Sequence, residues 1–421
     1  MKVYDKSIDI NTLKKSYREV WWNMPMQLNI PIKEVSYLKK KSNERSFERL
    51  IDEIISVIKS FPASEEERPY WKKESKNNLY KIVSTMSELD INIINEIKSE
   101  AFVKTTREFI KKCKEFDKNI SYGDIGQAMR NIWIINILQE VFGRNVEFNM
   151  ASFGYSMLYP YSDNYLDDFN VDKNEKLKFN ERFYKRLIGE DIKAKSKLEE
   201  QVFDLIKKIE DVYDRSKYPK VFESLLIIFE GQRKSITQQG GLSNPYEIDM
   251  LDISIEKGGA SVLADGYLID GELSKDEEEF CYGYGFILQL CDDLQDVRED
   301  LNNKHMTVMS QLATKYDLDN VVTKAINLVI YLINEEKCFK CEKAESIKQI
   351  IMYNCILMIL FAIIMAKEYF SKEYIKQISK YVPFTIDYME KIKGRLEYKF
   401  NKIEKSYHGI YIEDILFYLF M

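Results

Sequence analysis

The segment Gly283–Asp300 reads GYGFILQLCDDLQDVRED, an apolar helical pattern that turns into a run of aspartates. Asp292, Asp296 and Asp300 recur at intervals of four residues, so we expect their carboxylates on one face of a helix. Asp293 completes a DDxxD motif with Asp292 and Asp296. Like charges stacked on one face destabilise a helix unless a cation lies beside them.

That cation can be a neighbouring Arg or Lys side chain, or it can be a divalent metal. Carboxylates without nearby His or Cys select hard cations such as Mg²⁺, which prefers oxygen ligands and usually shares them with a phosphate. An acidic solvent face is the simpler interpretation, but the helix reaches the cluster through Phe286, Ile287 and Leu290. An apolar helix that becomes acidic in mid-run is more typical of the floor of a cavity.

A second acidic cluster lies in Tyr159–Asp168, which reads YPYSDNYLDD. It is a DNxxD version of the first motif, carried by Asp163, Asn164, Asp167 and Asp168. We expect a helical segment to start near Pro160 or Ser162. A short acidic patch means little by itself. Two such clusters, each preceded by an apolar or aromatic helix, could hold Mg²⁺ ions between them and present these ions to a diphosphate.

The composition limits the classes of fold and of chemistry. With only 16 Gly and 8 Pro in 421 residues, tight turns are scarce, which predicts an all-α fold with long helices. Two His residues in the whole chain disfavour Ser-His-Asp hydrolysis, Cys-His proteolysis and His-ligated zinc. The formal net charge of −6 gives no global electrostatic footprint for nucleic acid.

Cysteine usage and apolar segments bear on the compartment. Cys338 and Cys341 form a lone CxxC without a second pair, so we interpret the cysteines as ordinary reduced thiols. The N-terminal residues carry charges throughout, which predicts a cytoplasmic protein without a signal peptide. Ile350–Ala366 is almost wholly apolar, and we expect a buried helix rather than a membrane-associating element.

Apolar periodicity predicts helices at many places along the chain and no internal repeat. The segments are Phe47–Phe61, Asn78–Met86, Gly126–Phe142, Leu198–Tyr213, Pro219–Gln239, Glu278–Leu301, Leu318–Ile333 and Ile347–Phe370. The polar stretches Pro62–Arg68 and Asp172–Lys178 are expected to be loops.

The two acidic motifs and their surroundings resemble the class I isoprenoid and terpene synthase superfamily. Gly285 and Gln289 extend the first motif to GxxxQxxDDxxD, and Lys304 with Thr307 matches the KxxT element of that family. Ile236–Gly241 (ITQQGG) resembles its Gln–Gly element, and Lys257–Gly271 resembles its Lys-containing helix. The chain is most similar to the large bacterial (class IB) terpene synthases related to tetraprenyl-β-curcumene synthase. The resemblance covers roughly residues 120–320.

The resemblance implies an isoprenoid-synthase-type helical bundle around a deep central cavity, formed by one domain over residues 1–421. In this view residues 1–120 form a helical N-terminal part, 121–330 the catalytic core and 331–421 the C-terminal helices. It implies a Mg²⁺-dependent enzyme, with three ions, that ionises a linear all-trans prenyl diphosphate and forms a cyclic or linear terpene through a carbocation. C20–C35 prenyl diphosphates are the favoured substrates, and a homodimer is the usual state of such bundles. Peripheral contact with a membrane through Ile350–Ala366 is the alternative to a buried helix.

The family's functional residues are transferred position by position. The implied catalytic residues are Asp163, Asp167, Asp292, Asp293 and Asp296. The implied metal ligands are Asp163, Asn164, Asp167, Asp168, Asp292, Asp293, Asp296 and Asp300. The implied substrate-binding residues are Lys257, Lys304, Arg233, Gln238, Gln289 and Thr307.

The chain departs from the chain-elongating prenyltransferases after its second acidic cluster. Those enzymes carry an Arg-Arg pair beyond their first motif, and no Arg-Arg dipeptide occurs in this chain. Arg182 and Arg186 are the nearest arginines and could fold back over the site. A one-substrate synthase is therefore favoured over a chain-elongating trans-prenyl diphosphate synthase. A non-catalytic, membrane-associated helical protein is the remaining alternative.

Overall fold

The computed structural model describes residues 8–85, 100–167, 171–235, 238, 248–335, 337–341 and 343–420. Within these residues the chain forms eighteen α-helices, one 3₁₀ helix and one two-stranded hairpin. The all-α fold class is thereby confirmed. The isoprenoid-synthase arrangement around a central cavity stays a prediction.

The helices are numbered here in chain order. The first nine are α1 (Ile10–Asn23), α2 (Tyr37–Lys59), α3 (Arg68–Thr85), α4 (Glu100–Phe116), α5 (Tyr122–Val141), α6 (Met150–Asp167), α7 (Lys173–Leu187), α8 (Lys197–Val212) and α9 (Pro219–Ser235). The others are α10 (Met250–Asp270), α11 (Lys275–Gln295), α12 (Val297–Asn303), α13 (Val308–Ala313), α14 (Asp319–Glu335), α15 (Ala344–Met365), α16 (Lys372–Ile378), α17 (Ile386–Phe400) and α18 (Ile412–Phe420).

The chain divides into two compact units, each built from two separate segments. The first unit comprises Met1–Ile30 and Glu100–Ile359, and the second comprises Pro31–Ser99 and Leu360–Met421. The sequence-based division at residues 120 and 330 stays a prediction, as does the single domain. Each unit is described below by itself.

Helices α10 and α11 form the centre of the first unit, and most of their residues are buried. Gly258 and Gly285 lie at their crossing, where a Cβ on either glycine would overlap the carbonyl oxygen of the other. The two backbones are therefore in direct contact, which only glycine permits at both positions. On its other side α10 meets α9, where Gly231 lies against the backbone of Lys257.

Helix α1, near the N-terminus, packs on both α10 and α11. The Tyr17 hydroxyl donates to the Glu279 carbonyl at 2.9 Å, and the Trp21 ring meets the Phe286 ring edge-on. The Lys14 ammonium pairs with Asp252 at 2.9 Å. These contacts fix α1 to α10 and α11 by both apolar burial and charge.

The second unit has its own apolar core under the C-terminal helix. The buried side chains of this core are Val57, Phe61, Trp71, Leu79, Ile415 and Leu419. Helix α17 lies beside α2, where Lys399 pairs with Glu48 at 2.7 Å. A hairpin pairs Ser406–Tyr407 with Ile410–Tyr411 in antiparallel register. His408 and Gly409 make its turn, both with positive φ, as tight hairpins require.

Two local expectations are wrong. The stretch Asp172–Lys178 is not a loop but the start of α7, where the Asp172 carboxylate accepts from the backbone N–H groups of Asn174 and Glu175. Pro160 does not start a helix either, because it lies inside α6. The second acidic cluster therefore lies at the C-terminal end of a long helix.

Helix α15 contains the apolar stretch Ile350–Ala366 except for its last residue. Among the described helices, α15 alone is long and apolar enough to cross a membrane, and 50% of its most apolar window is buried. Its outer side exposes Met358 and Met365. The cytoplasmic location and the peripheral membrane contact stay predictions.

Candidate functional site

The first acidic cluster lies where α11 passes into α12. Helix α11 ends at Gln295, but the backbone bonds from Asp296 N–H to the Asp292 carbonyl (3.0 Å) and from Asp300 N–H to the Asp296 carbonyl (2.8 Å) continue across the junction. Asp292, Asp296 and Asp300 therefore lie on one helical face across the junction. Asp292 and Asp296 are exposed, Asp300 is half-buried and Asp293 is buried.

Asp293 is held from two sides. The Gln289 amide donates to one carboxylate oxygen at 2.8 Å, and the Ser254 hydroxyl of α10 donates to the other at 3.0 Å. Burial raises the pKa of Asp293 to about 6, with a further rise from the charge of Asp292 and opposing effects of the two hydrogen bonds and Lys257. Gln289 thus positions an aspartate.

Asp300 is the second perturbed carboxyl group of this face. Burial, followed by the charges of Asp293 and Asp296, raises its pKa to about 7. The Thr307 hydroxyl donates to it at 3.3 Å. Burial and the charge of Asp292 also raise the pKa of Asp296. The four carboxylates therefore repel one another, and none makes a salt bridge within 4.0 Å in the described part of the chain.

The KxxT and Gln–Gly elements meet in the structure. The Gln238 amide donates to the Met306 carbonyl at 2.7 Å, and the Met306 N–H donates to the Gln238 carbonyl at 2.9 Å. This pairing fixes the loop between Lys304 and Thr307. Lys304 ends α12 with a positive φ of 55°. Its side chain is exposed, so its ammonium group is accessible to an anion from solution. The roles of Gln238, Thr307 and Gln289 in substrate binding stay predictions.

Asp163 occupies a half-buried position near the end of α6. The Gln232 amide of α9 donates to its two oxygens at 3.2 and 3.0 Å. Asn164 donates to Asp124 at the start of α5 at 3.2 Å. The Asp167 side chain and Asp168 lie outside the described residues.

The two acidic clusters are connected through α9 and α10. Gln232, which holds Asp163, follows Gly231, and Gly231 lies against the backbone of Lys257. The Lys257 charge in turn lowers the pKa of both Asp293 and Asp296. A short chain of contacts thus joins Asp163 to the first cluster within the first unit.

Cationic side chains are carried by the segments that hold these carboxylates and by the helices beside them. Lys257 is half-buried, and Arg233, Lys304 and Arg298 are exposed. Arg130 of α5 is also exposed, and its charge lowers the pKa of Asp296. Lys234, in contrast, is paired with Glu256.

Arg182 and Arg186 are engaged elsewhere. The guanidinium of Arg182 binds the buried Glu199 carboxylate, and that of Arg186 binds Glu210. Burial raises the pKa of Glu199, but the stronger combined effect of hydrogen bonds from Arg182 and the Lys195 backbone leaves it lowered. Both arginines therefore link α7 to α8.

The carboxylates of this site suit Mg²⁺ only together with further oxygen ligands. Among the described residues, no three Asp, Glu, His or Cys side chains converge closely enough to hold a metal ion by themselves. Mg²⁺ usually keeps several waters and is bound by one or two carboxylates together with substrate phosphates. Exposed aspartates on a mutually repelling face fit that mode of binding, with Asp292 and Asp296 as its accessible donors. The half-buried Asp163 of α6 is a further carboxylate donor.

Sequence reasoning missed four residues of this site. Arg130, Gln232, Ser254 and Tyr155 belong to no motif, and each reaches the site from a different helix. The aromatic density of α6 was the one available signal, and it pointed toward Tyr155. No protein-family model, no curated protein and no solved structure matches this chain.

Proposed function

We propose that this protein is a Mg²⁺-dependent class I terpene synthase, a carbon–oxygen lyase acting on a linear all-trans prenyl diphosphate. The observation that supports it most is the aspartate face of α11 and α12. Besides burial, the charge of Asp292 contributes to the raised pKa of Asp293, Asp296 and Asp300, and in the described structure no cation forms a salt bridge with this face. Such a face favours the binding of a divalent cation.

The surrounding cations suit an anionic ligand. Lys257, Lys304, Arg233 and Arg130 have no close ion pair among the described residues, so their charges are available to departing phosphate oxygens. Bound Mg²⁺ would add neutralisation of the diphosphate as the C–O bond breaks. Preorganised positive charge of this kind lowers the cost of separating a diphosphate from a carbocation.

The superfamily that the two acidic motifs resemble includes two kinds of enzyme, and the arginines favour one of them. A chain-elongating synthase needs cations for a second diphosphate. Arg182 and Arg186 are bound to Glu199 and Glu210 instead. A one-substrate reaction is therefore the better supported proposal.

The purified protein should release diphosphate from one member of a series of all-trans prenyl diphosphates when Mg²⁺ is present. We expect Asp292→Asn and Asp163→Asn to lower the release rate by about 100-fold or more, because each removes charge where the leaving group must be held. Circular dichroism and thermal unfolding should show an intact fold, since repulsion between carboxylates is relieved.

Asp276→Asn is the matched control, because Asp276 is an exposed aspartate at the other end of α11. It should leave the rate unchanged. The proposal is wrong if the wild-type protein releases no diphosphate from any substrate in the series. It is also wrong if Asp292→Asn and Asp163→Asn keep the wild-type rate.

A further inference from the structure

A group of buried polar atoms without partners lies between α6 and α10. The hydroxyl oxygens of Ser152 and Ser156 and both carboxyl oxygens of Asp265 make no hydrogen bond in the described structure. Asp265 has 0% of its surface exposed, and Ser156 has 0%. These atoms are not part of either acidic motif.

Two hydrogen bonds set the register of the helices around this group. The Asn149 amide donates to the Leu268 carbonyl at 2.9 Å, and the Tyr155 hydroxyl donates to the Ser261 carbonyl at 3.2 Å. From Asn149 to Tyr155 the chain advances by six residues, while their partners on α10 go back by seven residues, from Leu268 to Ser261. The helices α6 and α10 therefore run antiparallel. Midway between the two bonds, Ser152 comes opposite Ala264 and Asp265.

The space between the helices is set by side-chain length. Tyr155 spans the gap with its whole side chain, whereas α10 and α11 touch through Gly258 and Gly285. Between the two connecting bonds the facing residues are short, namely Ser152 and Ala264 beside Asp265. The long Tyr155 side chain thus lies next to short neighbours.

Leaving these atoms without partners is costly. Each buried polar group without a hydrogen bond lowers the stability of the fold, and native proteins usually satisfy such groups with ordered water. Burial raises the pKa of Asp265 well above its usual range, which favours the protonated form, and a protonated carboxyl group can both donate and accept. Tyr155 and Cys281 are the other titratable groups that interact with it.

The same face of α10 leads from the acidic clusters to this group. Lys257, Ser261 and Asp265 are spaced by four residues, which places Asp265 about 12 Å along the helix from Lys257. By length alone, a prenyl chain whose diphosphate end lies near Lys257 reaches Asp265, and it would pass Tyr155, which lies at Ser261. Water held there would meet the hydrocarbon part of the substrate.

We propose that Ser152, Ser156 and Asp265 hold a water molecule that captures the carbocation, so that the product is a terpene alcohol. This inference rests on the proposed function and specifies its product class. The water oxygen forms the new C–O bond with one of its electron pairs, and one of its O–H bonds breaks. The protonated alcohol formed in this way gives that proton to the released diphosphate, while Asp265 and the two serines hold the water in position. Prenyl diphosphate and water thus give an alcohol and protonated diphosphate.

The test is incubation of the full-length protein with Mg²⁺ and the prenyl diphosphate series in water enriched in ¹⁸O. The wild-type alcohol should carry ¹⁸O on carbon, because the C–O bond of the substrate is the one that breaks. Asp265→Leu should lower the alcohol fraction at least tenfold in favour of hydrocarbon, while diphosphate release stays within about threefold. Asp265→Asn, which can still bind water, should keep most of the alcohol.

Ser152→Ala serves as a second, smaller change and should also lower the alcohol fraction. Ser224→Ala is its control, because Ser224 is a buried serine whose hydroxyl donates to Val221 within α9. Diphosphate release with hydrocarbon as the only wild-type product overturns this inference and leaves the proposed function intact. An alcohol fraction that Asp265→Leu and Ser152→Ala do not change overturns it as well. Absence of any diphosphate release overturns both.

Discussion

Neighbouring aspartates of one motif have different surroundings. Asp292 and Asp296 are exposed, whereas Asp293 turns inward and accepts hydrogen bonds from Gln289 and Ser254. The inner carboxylate therefore fixes the junction of α10 and α11, and the outer two are free to meet a cation. A helix with 3.6 residues per turn produces this division, because adjacent residues point about 100° apart.

Glu277 shows how a buried carboxylate is stabilised by its partners. It is 2% exposed, pairs with Arg144 at 2.8 Å and Lys340 at 3.0 Å, and caps α11 together with Ser274. Burial raises the pKa of Glu277, but the hydrogen bonds from Arg144, the Ser274 backbone and Lys340 outweigh it and lower the value to about 2.

Substituting Glu277→Gln should lower the free energy of unfolding by about 3 kcal/mol at pH 7. Because the folded pKa lies below the unfolded value of 4.5, the stabilisation is present above pH 4.5 and is lost as the pH falls toward 2. Urea unfolding measures the difference in the free energy of unfolding between Glu277→Gln and wild type, and this difference should fall near pH 3.5 to roughly half of its value at pH 7. An equal difference at both pH values would contradict the ionic origin.

Single positions could be predicted where the chemistry is local in sequence. The spacing of Asp292, Asp296 and Asp300 follows from helix geometry and is reproduced in the structure. Arg130 and Gln232 could not be found this way, because their relation to the aspartates depends on how distant helices pack. A motif can thus be recognised from neighbouring residues, whereas the residues that pack around it from distant helices cannot.

At the scale of elements, the crossing of α10 and α11 depends on paired glycines. A Cβ at Gly258 would overlap the Gly285 carbonyl, and backbone atoms cannot move aside as a flexible side chain can. The sequence showed both glycines, but only the packing shows that they face each other.

We expect Gly258→Ala to lower the free energy of unfolding by about 1–3 kcal/mol, because the two central helices must separate. Gly126→Ala in α5 is the matched control, since a Cβ there meets nothing within 4 Å. That change should stabilise the protein by about 0.5–1 kcal/mol through the better helix propensity of Ala. Chemical denaturation of both variants measures the effect. Equal effects at the two positions would show that the crossing tolerates a methyl group.

Element boundaries were harder to predict than element types. Asp172 followed by Glu175 is a helix start signal, and it was obscured by the polar character of the whole segment. Pro160 was expected to mark a boundary, yet α6 continues through it. Tertiary packing of the aromatic face of α6 offsets the missing hydrogen bond at Pro160, as the contacts of Phe153 with Phe109 and Phe116 indicate.

At the scale of the whole molecule, composition predicted the fold class but not the division of the chain. Because Gly and Pro are scarce, tight turns are few, and this composition favours long helices. The second unit, however, joins Pro31–Ser99 with Leu360–Met421. The periodicity of apolar residues predicts single helices, but it does not predict which distant segments pack together. Its core depends on apolar contacts between α3 and α18, which are far apart in the sequence.

The proposed reaction type belongs to the scale of the whole molecule, because under that proposal it depends on how many diphosphates the cations of the first unit can hold. Arg182 and Arg186 bind Glu199 and Glu210, and no Arg-Arg dipeptide occurs in the chain. We therefore expect that isopentenyl diphosphate, added with an allylic prenyl diphosphate and Mg²⁺, is not incorporated into product. Radiolabelled isopentenyl diphosphate measures this directly, with the protein-free mixture as control. A longer, labelled prenyl diphosphate would instead establish a chain-elongating synthase, in which other cations such as Arg130 and Arg233 hold the second substrate.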